Sequence, residues 1–196
     1  MKLLGLTGGV GMGKSTAAGF FLARGAWVLD TDDLARQLVR PGQPALAEIQ
    51  DVFGQAVLTP AGELNRAELA RRVFADEAAR KQLEAILHPR IRAGWLAQVE
   101  LWKQECCPSG VAIVVIPLLF ETQAEAQFPK NICVACSPAT QRERLAARGW
   151  SPEQVSQRIA AQWPVEQKIA RSHFVLWTEG SPVSSSRQCD RVLGRL

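Results

Sequence analysis

Gly8, Gly13, Lys14 and Ser15 stand at the spacing G-x-x-x-x-G-K-S inside "LTGGVGMGKST". Each residue type in that pattern has a task in holding a polyphosphate. Glycines let successive backbone N–H groups close around phosphate oxygens where a side chain would block the approach. A lysine directly after the last glycine reaches the terminal phosphates, and the hydroxyl after it ligates Mg²⁺. The candidate cradle is therefore Gly8, Gly9, Gly11, Met12, Gly13, Lys14, Ser15 and Thr16, with Ser15 as the metal-ligating residue. The competing reading is a plain glycine-rich turn between a strand and a helix. It requires the lysine, the hydroxyl and both flanks to coincide by chance.

Two further groups carry charge suited to the same chemistry. "VLDTDDLARQLV" places Asp30, Asp32 and Asp33 just past a predicted strand, at the carboxyl edge where open α/β sheets bind ligands. Asp32 is the candidate to take or orient a hydroxyl proton, or to help hold Mg²⁺. The competing role is helix N-capping, open to Asp32 or Asp33. "QRERLAARG" places Arg144 and Arg148 four residues apart, on one helix face, with Arg142 pointing elsewhere. Arg158 lies on the next predicted helix, with Gln162 on its face. Arginines on two short helices between strands suit a lid that neutralises a transferring phosphoryl group and excludes water. The alternative is a solvated basic face.

The elements that must position these groups read as a βαβ fold. "KLLGLT" and "AWVLD" are predicted strands, separated by a helix from Lys14 to about Arg24 that Gly25 stops. A helix from about Asp32 to Val39 follows. Residues 44–88 hold helical segments, among them "NRAELARRVF" capped by Asn65 and "DEAARKQLEAIL" from Asp76, and no convincing strand. "HPRIRAGWLAQVELWKQE" is expected as a separate helix with Pro89 near its first turn. "VAIVVIP" and "NICVACS" are apolar strands buried on both faces. "SPATQRERLAARG", "SPEQVSQRIAAQW" and "VEQKIARS" are helices, "HFVLWT" is a last strand, and a serine-rich turn leads to a terminal helix.

Composition sets bounds on the class. The 196 residues suffice for one domain, or a core with one inserted lobe. With 23 Lys+Arg against 19 Asp+Glu, the net charge of +4 fits a polyanionic small ligand and is too small to imply nucleic acid. The longest apolar run, "VAIVVIPLLF", is about half of a membrane span, and no secretory signal is visible, so a cytoplasmic protein is expected. Cys133 and Cys136 read as buried strand thiols, and the vicinal Cys106 and Cys107 as thiols at a helix end. The guanine-reading N-K-x-D of GTPases does not occur, which leaves a small kinase or a nucleotide-gated binding protein.

The chain resembles the dephospho-CoA kinase family over nearly its whole length. "GLTGGVGMGKST" is similar to the family's opening, "VLDTDDLARQLV" to its D-x-D-x-x-A-R motif, and "LHPRI" and "PLLFE" to its L-H-P and P-L-L-F-E segments. "QRERLAAR" matches Q-x-x-R-L-x-x-R, and "RIAAQWPVEQK" matches the second half of the lid. The resemblance implies an α/β, three-layer P-loop kinase fold with a parallel sheet. Its core would be about 1–40 and 107–137 plus 172–196, with a helical acceptor-binding insert at about 41–106 and an arginine-bearing lid at about 138–171. It implies that ATP, with Mg²⁺, donates its γ-phosphoryl to the ribose 3′-hydroxyl of dephospho-CoA. Asp32 falls on the family's catalytic base, and Lys14 and Arg144 on its phosphate-contacting residues. Thr7 lies beside the same cleft, Arg36, His88 and Glu121 line the acceptor side, and Arg148 and Arg158 complete the lid. The small molecules ATP and dephospho-CoA are the implied partners, with neither nucleic acid nor membrane, for a monomer or weak homo-oligomer. A kinase for another small molecule or nucleotide is the main rival.

Two departures stand out. Met12 occupies a position where the family has a small residue. Trp177 and Thr178 replace the family's late Asp-Asn pair, which leaves adenine recognition to main-chain groups at 178–181 or to stacking on Trp177.

Overall fold

A computed structural model describes residues 1–105 and 110–196. Its sheet has five strands in the order β2-β3-β1-β4-β5. They are β1 (Lys2–Gly8), β2 (Trp27–Asp30), β3 (Val111–Val115), β4 (Lys130–Ala135) and β5 (Phe174–Trp177). β1 runs parallel to both β3 and β4, with Leu4 opposite Ile113 and Leu6 opposite Ile132, and β4 runs parallel to β5. Central parallel strands are covered on both faces, which is why β1, β3 and β4 read as continuous apolar runs. The chain leaves β1 toward β3 and β2, then crosses to β4 and β5. The order thus reverses between β1 and β4, where open α/β sheets present a ligand crevice at the carboxyl ends.

Two compact units divide the described chain: residues 1–29 with 102–196, and residues 30–101. In the first unit, helix α1 (Lys14–Leu22) buries Ala17, Ala18 and Phe21 against Leu4, Leu6, Ile113 and Val134 of the sheet. Gly25 ends it at φ +80°, the left-handed conformation that suits glycine after a helix. Helices α6 (Pro138–Ala146), α7 (Pro152–Ala160) and α8 (Val165–Ala170) lie between β4 and β5, and α9 (Pro182–Leu193) closes the chain. Ser137, Ser151 and Ser181 cap α6, α7 and α9 through their hydroxyls, and Gln154 completes a capping box with Ser151.

The second unit is helical: α2 (Thr31–Leu38), α3 (Pro44–Phe53), α4 (Arg66–Ala75) and most of α5 (Glu77–Glu105). Val39, Ile49, Phe53, Val57, Leu69 and Ile86 form its core. Asn65 caps α4 as expected. One expectation is corrected here. The segments starting at Asp76 and His88 are a single helix, α5, with Pro89 in its interior. A proline there removes a helical donor and disfavours the α conformation of the preceding residue, hence the expected break. In this turn the Arg90 guanidinium donates to the Ile86 carbonyl (2.7 Å) and is anchored on Glu48 (2.6 Å), so side-chain contacts brace the helix next to the proline.

Cys133, Cys136 and Cys189 are buried free thiols, and burial raises Cys133 and Cys189 to about 11. Cys106 and Cys107 lie outside the described residues.

Candidate active site

The loop from Gly8 to Gly13 is held from behind. Lys14 Nζ donates to the carbonyls of Gly8 (2.9 Å) and Gly9 (3.0 Å). Gln141 Nε2, from α6, donates to the Val10 carbonyl at 2.7 Å, and the Thr178 hydroxyl donates to the Met12 carbonyl at 2.9 Å. A trans peptide points its N–H opposite to its C=O. Tying back the Val10 and Met12 carbonyls therefore turns the amides of Gly11 and Gly13 the other way. The Val10 amide itself is taken by Gln162 Oε1 at 2.8 Å. Gly8, at φ +149°, passes so close to β4 that a Cβ would sit 2.2 Å from the Val134 carbonyl oxygen. Gly11 similarly faces the Leu145 side chain, which a Cβ would meet at 2.8 Å.

Helix α1 starts directly from this loop. Gly13 is its N-cap residue, with no side-chain cap and no acidic residue in the first turn. Its leading N–H groups and the positive end of its dipole are thus presented as an anion site. Ser15 and Thr16 are exposed on that first turn. Met12 points the other way. It is buried with Ala135 and Cys136, against Val165 and Ile169 of α8, and pins the loop to the lid region through its side chain.

A cavity of about 370 Å³ opens beside the loop. Gly11, Gly13 and Thr16 form one wall, Arg144 and Arg148 a second, and Thr178, Gly180, Pro182 and Ser185 a third. Arg144 and Arg148 do share a face of α6 and the segment after it. Arg144 donates to the Thr178 hydroxyl (2.9 Å) and to the Thr178 carbonyl (2.6 Å). Arg158 is not in this wall; its guanidinium stacks on the Trp150 ring at 4.3 Å. Nor is Trp177, whose half-exposed indole donates to Glu179 at 3.0 Å. Thr178 and Gly180 line the cavity and Trp177 does not.

Thr7 and Glu121 have internal partners. Thr7 is fully buried in β1, its hydroxyl donating to the Pro117 carbonyl at 3.1 Å. Glu121 Oε1 accepts from Lys168 Nζ (2.7 Å) and from the Trp163 amide (2.9 Å). Lys168 is fully buried and also donates to the Pro117 carbonyl. The Phe120 and Trp163 rings stack at 6.3 Å, and the Arg171 guanidinium lies over the Trp163 ring at 4.7 Å. These contacts fasten α8 to the "PLLFE" loop.

In the second unit, Asp30 is the residue that caps α2. Its carboxylate accepts from the Asp32 amide at 2.9 Å, so neither Asp32 nor Asp33 serves that role. Asp33 pairs with Arg36 at 2.6 Å on the exposed surface. The Asp32 carboxylate is exposed and accepts no hydrogen bond among the described residues. His88 is half-buried within α5.

Sequence reasoning missed the hydrogen bonds of Gln141 and Gln162 to Val10 and the double role of Thr178. These partners are 131, 152 and 166 residues apart in the chain, so no local spacing signals them.

The sequence model of the dephospho-CoA kinase family matches residues 2–183. A dephospho-CoA kinase from Anaeromyxobacter dehalogenans is 44% identical, covering 100% of this chain and 92% of the relative. The crystal structure of TT1252 from Thermus thermophilus superposes with a TM-score of 0.84 at 34% identity, covering 100% of this chain and 97% of that one. Dephospho-CoA kinase from Campylobacter jejuni superposes with a TM-score of 0.73 at 25% identity over the same shares.

Proposed function

Because the chain belongs to the dephospho-CoA kinase family, we propose that it transfers the γ-phosphoryl group of ATP to the ribose 3′-hydroxyl of dephospho-CoA, giving CoA and ADP. The observation that carries this reading is the loop between β1 and α1. Its carbonyls are tied back by Lys14, Gln141 and Thr178, and its far end opens on an uncapped helix N-terminus.

In this reading the amides of the loop and of the first turn of α1 hold the β- and γ-phosphates, and the Lys14 ammonium exchanges its carbonyl partners for phosphate oxygens. The cavity beside the loop takes the nucleoside. Arg144, on its wall, meets the charge that develops on the transferring group, with Arg148 beside it; Arg158 belongs to the same lid. Mg²⁺, when bound, neutralises charge shared between the β- and γ-phosphates. Ser15 suits it. Its hydroxyl is exposed on the first turn, and a cation that keeps waters and phosphate oxygens needs few protein ligands. No cluster of three His, Cys, Asp or Glu side chains offers another metal site among the described residues.

Asp32 is the proposed base, supported by its place in the D-x-D-x-x-A-R motif and by an exposed carboxylate that α2 does not use as a cap. Arg36, His88 and Glu121 are assigned to the dephospho-CoA side, and Thr7 to the cleft beside the phosphates, on the resemblance alone. No described helix is long and apolar enough to cross a membrane. The same reading has the enzyme working in the cytoplasm on small molecules, as a monomer or weak homo-oligomer.

The test is ADP formation with ATP and a panel of acceptors, for the unmutated protein and Asp32→Ala. Dephospho-CoA should be the acceptor that drives turnover, and the variant should lose on the order of 10²–10⁴-fold. Turnover on a nucleoside or nucleotide with none on dephospho-CoA overturns the acceptor. An Asp32→Ala protein as active as the unmutated one overturns the base.

A further inference from the structure

Thr178 is the first residue past β5, and it is only 8% exposed. Three separate pieces of the nucleotide site meet on it. Its amide donates to the Ala135 carbonyl at the end of β4 (2.8 Å). Its hydroxyl is 2.9 Å from the Met12 carbonyl in the phosphate loop and 3.3 Å from that of Ala135. The same hydroxyl accepts from Arg144 Nη1 at 2.9 Å, and its backbone carbonyl accepts from Arg144 Nη2 at 2.6 Å. A hydroxyl has one proton to give. The shorter contact assigns that proton to Met12 and leaves a lone pair for the arginine.

We propose that Thr178 is a positioning residue for the phosphoryl-transfer site. Its hydroxyl and carbonyl grip the two terminal nitrogens of Arg144 as a fork, which fixes the plane of the guanidinium in the cavity wall. Of the five N–H donors an arginine carries, those not spent on Thr178 remain for the phosphoryl group. Through Met12 the same hydroxyl holds the peptide whose N–H belongs to Gly13, the residue at which the loop becomes α1. Gly13 adopts φ +93°, and a Cβ there would be in ordinary van der Waals contact with the Thr178 hydroxyl, at 3.4 Å. One oxygen atom thereby sets the distance between the arginine and the loop, both of which must address the same phosphates.

The inference rests on the assignment of Arg144 to the transferring group, and the experiment separates the two. Thr178→Val keeps the shape and removes the hydroxyl. Thr178→Ser keeps the hydroxyl and removes a methyl group. Steady-state ADP formation with ATP and dephospho-CoA is measured for both and for the unmutated protein, with folding followed by circular dichroism. Thr178→Val should lower kcat about tenfold, the loss expected for one hydrogen bond to a charged group, and leave the KM for dephospho-CoA within about twofold. Thr178→Ser should restore kcat to within about threefold of the unmutated value. A Thr178→Val enzyme with unchanged kcat overturns the proposal, and so does a Thr178→Ser enzyme no better than Thr178→Val. If Thr178→Val does not fold, the serine variant alone decides by the same threefold limit. If the unmutated protein shows no turnover with dephospho-CoA, the functional reading has failed. The same proteins are then compared by ATP affinity, where valine must weaken binding and serine must not, or the proposal fails as well.

Discussion

The phosphate loop and the acidic turn at Asp30 both follow a strand and both lead into a helix, yet they are built in opposite ways. After β1, the carbonyls of Gly8, Gly9, Val10 and Met12 are each engaged by a side chain from elsewhere in the fold or from α1. After β2, the turn has one local cap, Asp30 on the Asp32 amide, and one exposed pair, Asp33 with Arg36. The first arrangement is pre-organised through contacts that span the chain, the kind of support that holds electrostatic groups in place without reorganisation. The second leaves Asp32 and Asp33 exposed, and the contacts described for it, Asp30 on the Asp32 amide and Asp33 with Arg36, join near neighbours.

The largest effect that breaks this comparison comes from Lys168. It is fully buried, on Glu121 whose side chain is 14% exposed, and the pair fastens α8 beneath the loop. Lys168→Met strands the Glu121 carboxylate and should destabilise the protein by about 3–5 kcal/mol in urea unfolding. Adding Glu121→Leu should recover much of that loss, because the stranded charge, more than the missing attraction, carries the cost. The matching change across the comparison, Arg36→Ala, removes a pair whose side chains are 63% and 64% exposed, and should cost less than about 1 kcal/mol. Equal losses would mean that the two regions are supported alike.

The same contrast explains how far the sequence could be read. The loop, α1 and the central strands were legible because their signals are local: glycine spacing, a lysine and hydroxyl beside it, and continuous apolar runs. The family resemblance was legible for the same reason, as short motifs in a fixed order, and the match over residues 2–183 bears it out. Met12 shows the limit. Its position marked it only as a departure from the family's small residue, and its side chain is buried at 2% exposure against α8. Pro89 shows another. Its local signal was to end a helix, and a long-range contact, Glu48 holding Arg90, accompanies the continuous α5 instead. The cap of α2 was expected from Asp32 or Asp33, and Asp30 takes that role instead. That choice depends on backbone angles at a single residue, φ −97° and ψ 120° at Asp30.

Glycine substitutions sharpen the comparison at the level of the backbone. Gly8→Ala puts a Cβ 2.2 Å from the Val134 carbonyl oxygen, at φ +149°, so the obstacle is backbone and not a flexible side chain. Overpacking and backbone strain together should cost at least about 3 kcal/mol. Gly42, in the second unit, has a similarly unfavourable φ of +83°, but no atom lies within 4 Å of its added Cβ. Gly42→Ala should therefore cost only the conformational part, about 1–2 kcal/mol. Urea midpoints of the two variants measure the difference directly, and a Gly42 variant as damaged as Gly8 would remove the distinction.

The smallest effect concerns the carboxylate that supports the third wall of the cavity. Glu179 Oε1 accepts from the Ser137 amide (3.0 Å) and the Thr140 hydroxyl (2.9 Å), and Oε2 accepts from the Trp177 indole. Hydrogen bonds from Ser137 first, then from Thr140, pull its pKa from 4.5 down to about 2. A depressed carboxylate stabilises the folded state above its unfolded pKa, and that contribution is lost as pH falls through the folded value. Glu179→Gln should therefore melt below the unmutated protein at about pH 6, where the charged form is fully populated in both states. The gap should narrow between pH 4.5 and about 2, the interval over which the Glu179 contribution disappears. A gap of constant size across that interval would show that the side chain acts by packing, and that the charge at the start of α6 holds nothing in place.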